Sequence, residues 1–448
     1  MLLHACIYCQ ATAIAPVYKR ADGRTIVRCA DCGLQFITDV PDNLAELYGA
    51  EYFDKSDAAA GSGVGYASYS QYTAMQFRWQ LALLRLFEGA RAHRGTTLLD
   101  LGCATGRFLQ MASLAGFVST GMEISEAAAG IVRQQGYPVI QAALEDASPA
   151  PSDIATAWDV IEHVVDIGGM LRKIRGTLRD GGSFMFSTPD GGAPRAAIEG
   201  ERWSCLTSSF EHITYLTHPF LKRALTEAFG AEPLLVSFDV AGEWTNIIGF
   251  VRVGGPTLRD RRIAELLAQG AVPASAEELR LYGSELGWFY CTFEQTEALE
   301  RLIAAGEGVL PAATLLALRA GQRYKAGDFA AAIPMLKASA TQEPLSLAWL
   351  AECIERREES RGSELQARLD AQLQASAIAQ AEFAQAKNAL RIRIEELTAE
   401  GVHLRATLEQ IHGSLSWKIG RGVTSTIERV PGSQAAIDGL KQLRGRAR

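Results

Sequence analysis

The sequence has no uncharged apolar run of the ~18 residues that a membrane-spanning helix needs, so we expect no transmembrane segment. Its start, Met1–Cys6, lacks the basic stretch and the long apolar core of a signal peptide, and we therefore expect a cytoplasmic protein. With 48% hydrophobic and 21% charged residues, the chain lacks the composition of a disordered or collagen-like protein. It also lacks an excess of basic residues, because its net charge is −7, and this argues against a nucleic-acid partner.

The sequence does contain eight cysteines, and four of them form two C-x2-C pairs. Cys6 and Cys9 make the first pair, and Cys29 and Cys32 follow after 19 intervening residues. Two such turns can direct four thiolates onto one tetrahedral zinc ion at about 2.3 Å. Gly33 follows the second pair, where the turn needs a residue that takes positive φ. Four protein ligands leave no position for water or substrate, so the pattern predicts a structural zinc, with four unligated thiols as the alternative.

The 448 residues suggest two or three domains with different local patterns. Between residues 96 and 253, short apolar runs alternate with helical patterns, which is typical of βαβ units around a parallel sheet. Beyond this region the strand patterns vanish and the composition shifts towards Ala, Leu, Glu and Arg. The predicted segments are a zinc ribbon (1–40), a helical and lid region (41–95), an α/β domain (96–253), a helical, tetratricopeptide-like region (254–360), a coiled coil (361–412) and a basic amphipathic tail (413–448).

The last two segments suggest how the protein associates. A heptad with apolar positions such as Leu390, Leu397 and Leu404 predicts a coiled coil and hence a homo-oligomer, although a single charged helix lying on the body is an alternative. The tail carries seven basic and two acidic residues, a net charge of +5. Such a segment is expected either to contact the anionic inner face of a membrane or to remain a solvated tail.

The segment Leu98–Gly106 predicts a strand that runs into a turn of small residues and then into a helix. Such a turn lets a ligand approach the backbone closely, and the helix start offers free N–H groups. A dinucleotide fold would have a third glycine where this chain has Arg107. Asp100 is a poor neighbour for a pyrophosphate but a good partner for an ammonium or a hydroxyl group. Glu123, at the end of the second predicted strand, is placed to accept bonds from two ribose hydroxyls.

This block resembles the first motif of the class I S-adenosylmethionine-dependent methyltransferases, an acidic residue followed by G-x-G-x-G, with Ala104 in place of the middle glycine. The resemblance continues in three further segments in the expected order. These are Trp158–Val164, Leu178–Gly182 and Ser187–Asp190. It implies a Rossmann-like α/β sheet and S-adenosylmethionine as the methyl donor. The preceding zinc ribbon is similar to that of a methyltransferase subgroup found with sugar and surface-polysaccharide biosynthesis.

Carried over position by position, the resemblance implies a set of cofactor-binding residues. Those expected to line the methionine part are Asp100, Gly102, Ala104 and Gly106. Glu123 would hold the ribose, and Glu145 rather than Asp146 would meet the adenine, unless both lie in a solvated loop. We also assign Asp159 to the cofactor pocket.

Two histidines are candidate general bases for an acceptor hydroxyl, His212 and His163. Asp159, Glu162 and His163 form a D-x-x-E-H segment similar to the E-x-x-E-H segment of the ubiquinone-pathway O-methyltransferases, in which these groups bind a divalent ion. The resemblance leaves a divalent ion, a base and a helix-capping role open for this segment, and a structural hydrogen bond is the alternative for His212. The aromatic residues that could hold a sugar ring, or could simply be core, are Trp203, Tyr66 and Tyr69.

The sequence thus favours an S-adenosylmethionine-dependent methyltransferase that O-methylates a sugar hydroxyl of a nucleotide-linked precursor or a surface glycan. Similarity of the Ser414–Lys418 segment to the tails of polysaccharide enzymes supports this pathway, and chain-terminating O-antigen methyltransferases also carry coiled coils. One alternative is C-methylation of a deoxysugar nucleotide, although such enzymes normally have a second α/β domain. The other alternative is a non-catalytic scaffold in glycan assembly.

Overall fold

The computed structural model describes residues 3–40, 78–89, 95–240, 244–339, 350 and 353–354. The chain divides into two compact units, Met1–Ile354 and Glu355–Arg448, and all described residues belong to the first. The predicted coiled coil at 361–412 and the basic tail at 413–448 lie outside the described residues, and so do Tyr66 and Tyr69. Within the described ranges the first unit forms eleven strands in two sheets and twelve α-helices.

The smaller sheet is antiparallel and contains strands from two distant parts of the chain. Three of its strands are N-terminal: β1 (Ile14–Lys19), β2 (Thr25–Cys29) and β3 (Gln35–Ile37). The fourth, β9 (Thr214–Tyr215), comes from the α/β region and pairs with β3. We call residues 3–40 the cysteine module, since they carry both C-x2-C pairs. Its sheet is therefore completed by the neighbouring domain.

The larger sheet has seven strands in the order β10-β11-β8-β7-β4-β5-β6. The strands are β4 (Thr97–Leu101), β5 (Val118–Glu123), β6 (Val139–Gln141), β7 (Ser152–Trp158), β8 (Leu178–Pro189), β10 (Leu234–Val240) and β11 (Trp244–Arg252). The first five of these pair in parallel, so their carboxyl ends meet at one edge of the sheet. This is a Rossmann-like α/β arrangement.

The parallel pairing that the sequence pattern indicates does not extend to the last two strands. β11 pairs antiparallel with both β8 and β10, so the sheet is mixed. The physical reason is the length of the connection, because only three residues separate Val240 from Trp244. A parallel crossover needs a dozen residues or more, whereas a hairpin needs only two.

Seven helices belong to the α/β region and five follow it. The first group is α1 (Arg78–Glu88), α2 (Arg107–Leu114), α3 (Glu126–Gln134), α4 (Ile167–Thr177), α5 (Pro194–Glu199), α6 (Ser204–Thr207) and α7 (His218–Phe229). The second group is α8 (Leu258–Gln269), α9 (Ala276–Thr292), α10 (Thr296–Gly306), α11 (Ala312–Lys325) and α12 (Phe329–Ser339). No helix in the described part of the chain combines the length and the apolar character that a membrane span needs.

Local sequence sets where these helices begin and end. The side chain of Asp166 accepts a bond of 2.7 Å from the Gly169 amide at the start of α4. Thr217 caps α7 in the same way, and α7 ends at Gly230 in the left-handed conformation. Thr257 and Asp260 form a reciprocal capping box at the start of α8.

The two faces of the large sheet bury different partners. One face packs against α1 and the C-terminal helices, with Phe250 and Met185 of the sheet in the same cluster as Leu286 and Leu318. The other face packs against α4, α7 and the cysteine module. The module and the helical region are thus both parts of the unit that contains the sheet, on its opposite faces.

A buried network of ion pairs connects α1 and α8 to strand β11 of the large sheet. Arg252 on β11 bonds Asp260 on α8 at 2.9 Å and Glu88 on α1 at 3.2 Å. All three side chains are less than a tenth exposed, and Ser183 on β8 also donates to Glu88 at 2.7 Å. Removing the cation would leave two buried carboxylates without their shared partner.

We expect Arg252→Met to lower the free energy of unfolding by about 3–5 kcal/mol, because a buried pair that loses one partner leaves uncompensated charge. The measurement is denaturant-induced unfolding. Arg261→Met is the matched control, since Arg261 pairs with Glu232 at 3.0 Å and both side chains are nearly half exposed. Such surface pairs contribute about 0–1 kcal/mol. Equal losses in the two variants would contradict this account.

Candidate active site

The loop after β4 has an unusual backbone conformation, which restricts the residues that can occupy it. Gly102, Ala104 and Gly106 all have positive φ, at 65°, 48° and 79°. A Cβ at position 102 would lie 2.6 Å from Cγ2 of Val160, so only glycine fits there. Ala104 holds a conformation that residues with a Cβ rarely adopt. The loop therefore lies directly against the segment that follows β7.

Two buried carboxyl groups occupy neighbouring strand ends beside this loop. Asp100 is 2% exposed and accepts a bond of 2.7 Å from the Thr156 hydroxyl. Burial raises the pKa of Asp100 to about 7, and the charge of Glu123 adds to the rise. A cationic ligand group beside Asp100 would favour its ionised form.

Glu123 accepts bonds of 2.9 Å from two backbone amides, those of Ala104 and Ser125. These bonds fix its carboxylate at the mouth of the loop. Burial nevertheless raises the pKa of Glu123 above its ordinary value. Since a carboxylate offers about four acceptor positions, Glu123 retains the capacity to accept from two ligand hydroxyls.

The remaining predicted cofactor residues differ in their settings. Glu145 and Asp146 are exposed in the loop after β6, and Lys173 donates to the Glu145 carbonyl at 3.4 Å. The adenine contact of Glu145 stays a prediction. Asp159 follows β7 with a φ of 53°, and its carboxylate accepts from Ser187 at 2.8 Å and from Asn246 at 3.3 Å.

The second half of the site is a cluster of Glu162, His163 and His212. Glu162 and His163 lie on a short 3-10 turn, Ile161–His163, directly after Asp159. The imidazole Nε2 of His212 is 4.0 Å from Oε1 of Glu162, and the rings of the two histidines are 4.9 Å apart. One ligand atom from each residue lies within 4.8 Å of the others, so the cluster could hold a divalent ion.

Burial sets the protonation states in this cluster. The pKa of Glu162 lies well above its ordinary value because the group is buried and faces the charge of Asp159. Burial lowers the pKa of His163 to about 4, and the pKa of His212 falls well below its ordinary value through burial and the neighbouring His163 and Arg20. Burial thus favours the uncharged forms of all three side chains, and an uncharged imidazole can accept a proton.

Several polar atoms of this cluster could form further hydrogen bonds. Among the described residues, the Thr188 hydroxyl is a side-chain donor beside the Glu162 carboxyl and makes no hydrogen bond of good geometry with it, and Nδ1 of His212 has no hydrogen-bond partner. Buried polar groups are normally satisfied, so such a concentration in one place points to a ligand, a proton or an ion that completes it.

Trp203 offers no exposed ring face to a sugar, because it is 2% exposed and packs with Ile37 and Tyr215 in the core. Of the two roles that the sequence leaves open for Trp203, sugar platform and core, the structure has the core role.

The cysteine module brings its four thiols together. Cys6 and Cys32 have sulfurs 3.5 Å apart, as do Cys9 and Cys29, and all four sulfurs lie within 4.8 Å of one another. Tetrahedral zinc thiolates have sulfurs about 3.8 Å apart at the usual bond length. The donor set therefore fits zinc.

Both turns of the module share one backbone feature. Gln10 and Gly33 each follow the second cysteine of a pair, with φ of 63° and 77°. Their amides donate at 3.0 Å to the carbonyls of Cys6 and Cys29, the first cysteine of each pair. Sequence reasoning identified Gly33 for this turn but missed Gln10, which has no glycine to signal it.

Sequence reasoning also missed residues that support the site from other strands. Asn246 and Ser187 hold Asp159, and Thr156 holds Asp100. Arg20, in the cysteine module, donates to the backbone carbonyl of His212 at 2.7 Å. Only Ser187 lay in a segment with a recognisable pattern, and the other three carry no local signal.

The comparisons with known proteins agree with this geometry. Residues 72–236 match the family model described as a methyltransferase domain. The chain is 27% identical over 156 residues to the ubiquinone biosynthesis O-methyltransferase of Bordetella pertussis, covering 29% of this chain and 64% of that protein. It is 33% identical over 103 residues to the protein of the same name from Caulobacter vibrioides, covering 21% and 41%. The chain thus spans less than two thirds of the length of these relatives.

Solved structures with a similar chain path are also methyltransferases by name. The magnesium protoporphyrin IX methyltransferase of Synechocystis, with bound S-adenosylhomocysteine, has a TM-score of 0.36 and 14% identity over 46% of this chain and 97% of its own. An S-adenosylmethionine-dependent methyltransferase of Mesorhizobium loti has a TM-score of 0.31 and 18% identity over 39% and 97%.

We expect Gly102→Ala to lower the free energy of unfolding by about 1–3 kcal/mol, because the new methyl meets Val160 and positive φ is strained for alanine. Gly130→Ala on helix α3 is the matched control, since a Cβ there meets nothing within 4 Å and alanine favours a helix. Denaturant unfolding of both variants is the measurement. A Gly102→Ala protein as stable as the wild type would contradict the close approach of the two loops.

Proposed function

We propose that the methyltransferase domain at residues 72–236 transfers a methyl group from S-adenosylmethionine to a hydroxyl oxygen of a sugar. The observation that carries this proposal is the contact between the two loops. It joins the pocket of Asp100 and Glu123 to the cluster of Glu162, His163 and His212. A donor pocket beside a neutral base is the arrangement that oxygen methylation needs.

Each predicted cofactor residue would contact a different part of S-adenosylmethionine in the donor pocket. Asp100 would face the ammonium of the methionine part, and Glu123 would accept from the ribose hydroxyls. The small residues at 102, 104 and 106 would let the ligand lie against the backbone. Glu145 would reach the adenine, and Asp159 would border the sulfur. S-adenosylmethionine supplies a methyl group on a positively charged sulfur, and it leaves as S-adenosylhomocysteine.

His212 is the general base we favour, with His163 as the second candidate. The neutral imidazole of His212 would take the proton of the acceptor hydroxyl as its oxygen gains the methyl group. Burial favours the protonated form of Glu162 beside it. The alternative for the cluster is a divalent ion held by Glu162, His163 and His212, which would orient the hydroxyl instead.

An oxygen acceptor is favoured over a carbon acceptor by two observations. The relatives are named O-methyltransferases, and the five helices α8–α12 occupy the place where a second α/β domain is expected in deoxysugar C-methyltransferases. The sugar class itself rests on the resemblance of the cysteine module and of the Ser414–Lys418 segment to polysaccharide-associated enzymes. A nucleotide-sugar or surface-glycan acceptor, a coiled-coil oligomer and membrane contact through the tail complete the proposal.

The alternative class, a non-catalytic scaffold, is disfavoured by the intact geometry. A vestigial pocket would have no reason to keep Asp100 and Glu123 buried and hydrogen-bonded at adjacent strand ends. The carboxylates cost free energy to bury, and a ligand that uses them accounts for that cost.

Two variants should distinguish the role of Glu123 in cofactor binding from the role of His212 in proton transfer. Glu123→Gln should weaken S-adenosylmethionine binding by about 10–100-fold, because bonds to a charged acceptor contribute roughly 1.5–3 kcal/mol. His212→Asn should keep that affinity and lower methyl transfer by about 10²–10⁴-fold. The assay follows labelled methyl transfer from S-adenosylmethionine into nucleotide-sugar and polysaccharide extracts.

His218→Asn is the control for the histidine variant, because His218 lies outside the cluster and is 39% exposed. We expect wild-type affinity and transfer from it. Full transfer by His212→Asn would remove His212 as the base, and loss of affinity in that variant would reassign it to cofactor binding.

We further propose that the cysteine module binds one structural zinc ion. The wild-type protein should contain one zinc per chain by mass spectrometry of the metal, and Cys9→Ala should contain none. Cys205→Ala is the control, since Cys205 is a buried thiol outside the four-cysteine cluster. Because metal binding and folding of such sites are coupled, chelation should also expose the module to proteolysis. Equal zinc content in both variants would contradict the assignment.

A further inference from the structure

The cysteine module reaches into the acceptor side of the site. Its strand β3 pairs with β9, with Gln35 opposite Tyr215 and Phe36 opposite Thr214. The Ile37 amide extends this pairing by donating to the Ile213 carbonyl at 3.0 Å. The residue before this pairing is His212, so the module's sheet ends at the proposed base.

Arg20, in the turn between β1 and β2, connects the module to His212 directly. Its side chain is fully buried. One guanidinium nitrogen, Nη1, donates to the His212 carbonyl at 2.7 Å and to the Tyr215 hydroxyl at 3.3 Å. The other nitrogens donate to both carboxylate oxygens of Asp22 at 2.9 and 2.5 Å. Asp22 thereby fixes the direction in which the guanidinium points.

The opposite side of the same segment is held by the 3-10 turn. The Ile213 amide donates to the Glu162 carbonyl at 3.0 Å, and Nδ1 of His163 lies 3.2 Å from the Glu211 carbonyl. Residues 211–213 are therefore held by the α/β domain on one side and by the cysteine module on the other. A base held within a fraction of an ångström is what efficient proton transfer requires.

We propose that Arg20 is a positioning residue, which holds the backbone of His212 so that its imidazole faces Glu162 and the acceptor. The inference rests on the proposed function in that His212 is taken as the base. It gives the cysteine module a role beyond stability, as one wall of the acceptor pocket. Zinc binding, by ordering the module that carries Arg20, would then support the position of the base.

The guanidinium of Arg20 also places a positive charge close to the His212 imidazole. The titratable and charged groups that face His212 come from the 3-10 turn, from β9 and from the cysteine module: Glu162, His163, Tyr215 and Arg20. The pKa of His212 is lowered first by burial, then by His163 and by Arg20.

Arg24 is a matched control on the same turn. It bonds the same carboxylate, Asp22, at 2.9 Å, but its side chain is partly exposed. Within the described chain, the hydrogen bonds of the Arg24 side chain go to Asp22 alone. Arg24→Met thus removes a cation and an Asp22 contact while it leaves the His212 contact in place.

The experiment uses the full-length, zinc-loaded protein with isotope-labelled histidine. The chain has seven histidines, and His212→Asn identifies the signal of His212. In Arg20→Met we expect the chemical shifts of the His212 ring to move away from their wild-type values, because the backbone that carries the imidazole loses its contact with the guanidinium. We expect methyl transfer to fall roughly 10–100-fold at unchanged affinity for S-adenosylhomocysteine, since a small displacement of a reacting group has costs of this order. Arg24→Met should match the wild type in all three measurements.

Arg20→Lys keeps the positive charge but cannot bond His212 and both oxygens of Asp22 at once, so we expect only partial recovery of methyl transfer. If Arg20→Met does not fold, this variant carries the test, and a His212 signal and transfer rate identical to the wild type would overturn the proposal. Equal effects of Arg20→Met and Arg24→Met would overturn it as well. Should the wild-type chain fail to bind S-adenosylhomocysteine, the proposed function fails, while the histidine spectra still test the link between Arg20 and His212.

Discussion

The close approach of Gly102 to Val160 is the contact on which the rest of the site depends. Parallel pairing brings the carboxyl ends of β4 and β7 to one edge of the sheet, and this contact presses the loops that follow them together. The residues predicted to line the methionine part, Asp100 to Gly106, lie at the first loop, and Glu162 and His163 lie on the turn after the second. A larger residue at position 102 would separate the two halves of the site.

The second constraint is desolvation, which determines the chemistry that the site can perform. Asp100, Glu123, Glu162 and His212 are all nearly excluded from water. Burial raises the pKa values of the carboxyl groups and lowers the pKa of His212, so it favours the uncharged form of each side chain. A cationic donor can stabilise the carboxylates, and a neutral imidazole can take a proton. The same low-polarity environment thus suits both halves of an oxygen methylation.

Local patterns in the sequence predict the parts of the site that depend on neighbouring residues. The strand-turn-helix pattern locates Asp100 and Glu123 at strand ends, where the structure has them, and the C-x2-C spacing brings four sulfurs together. Contacts between distant residues leave no such pattern. Arg20 and His212 are 192 positions apart, and the pairing of β3 with β9 involves a strand of only two residues. Trp203 shows the converse, because an aromatic residue near a histidine is as compatible with core as with a sugar platform.

A crystal structure with S-adenosylhomocysteine tests most directly whether residues from both loops and from the cysteine module form one site. We predict one ligand per chain at the edge formed by β4, β5 and β7, with its ribose hydroxyls on Glu123 and its ammonium beside Asp100. Its sulfur should face the cluster of Glu162, His163 and His212. A ligand bound away from these residues, or no ligand at millimolar concentration, would contradict the account.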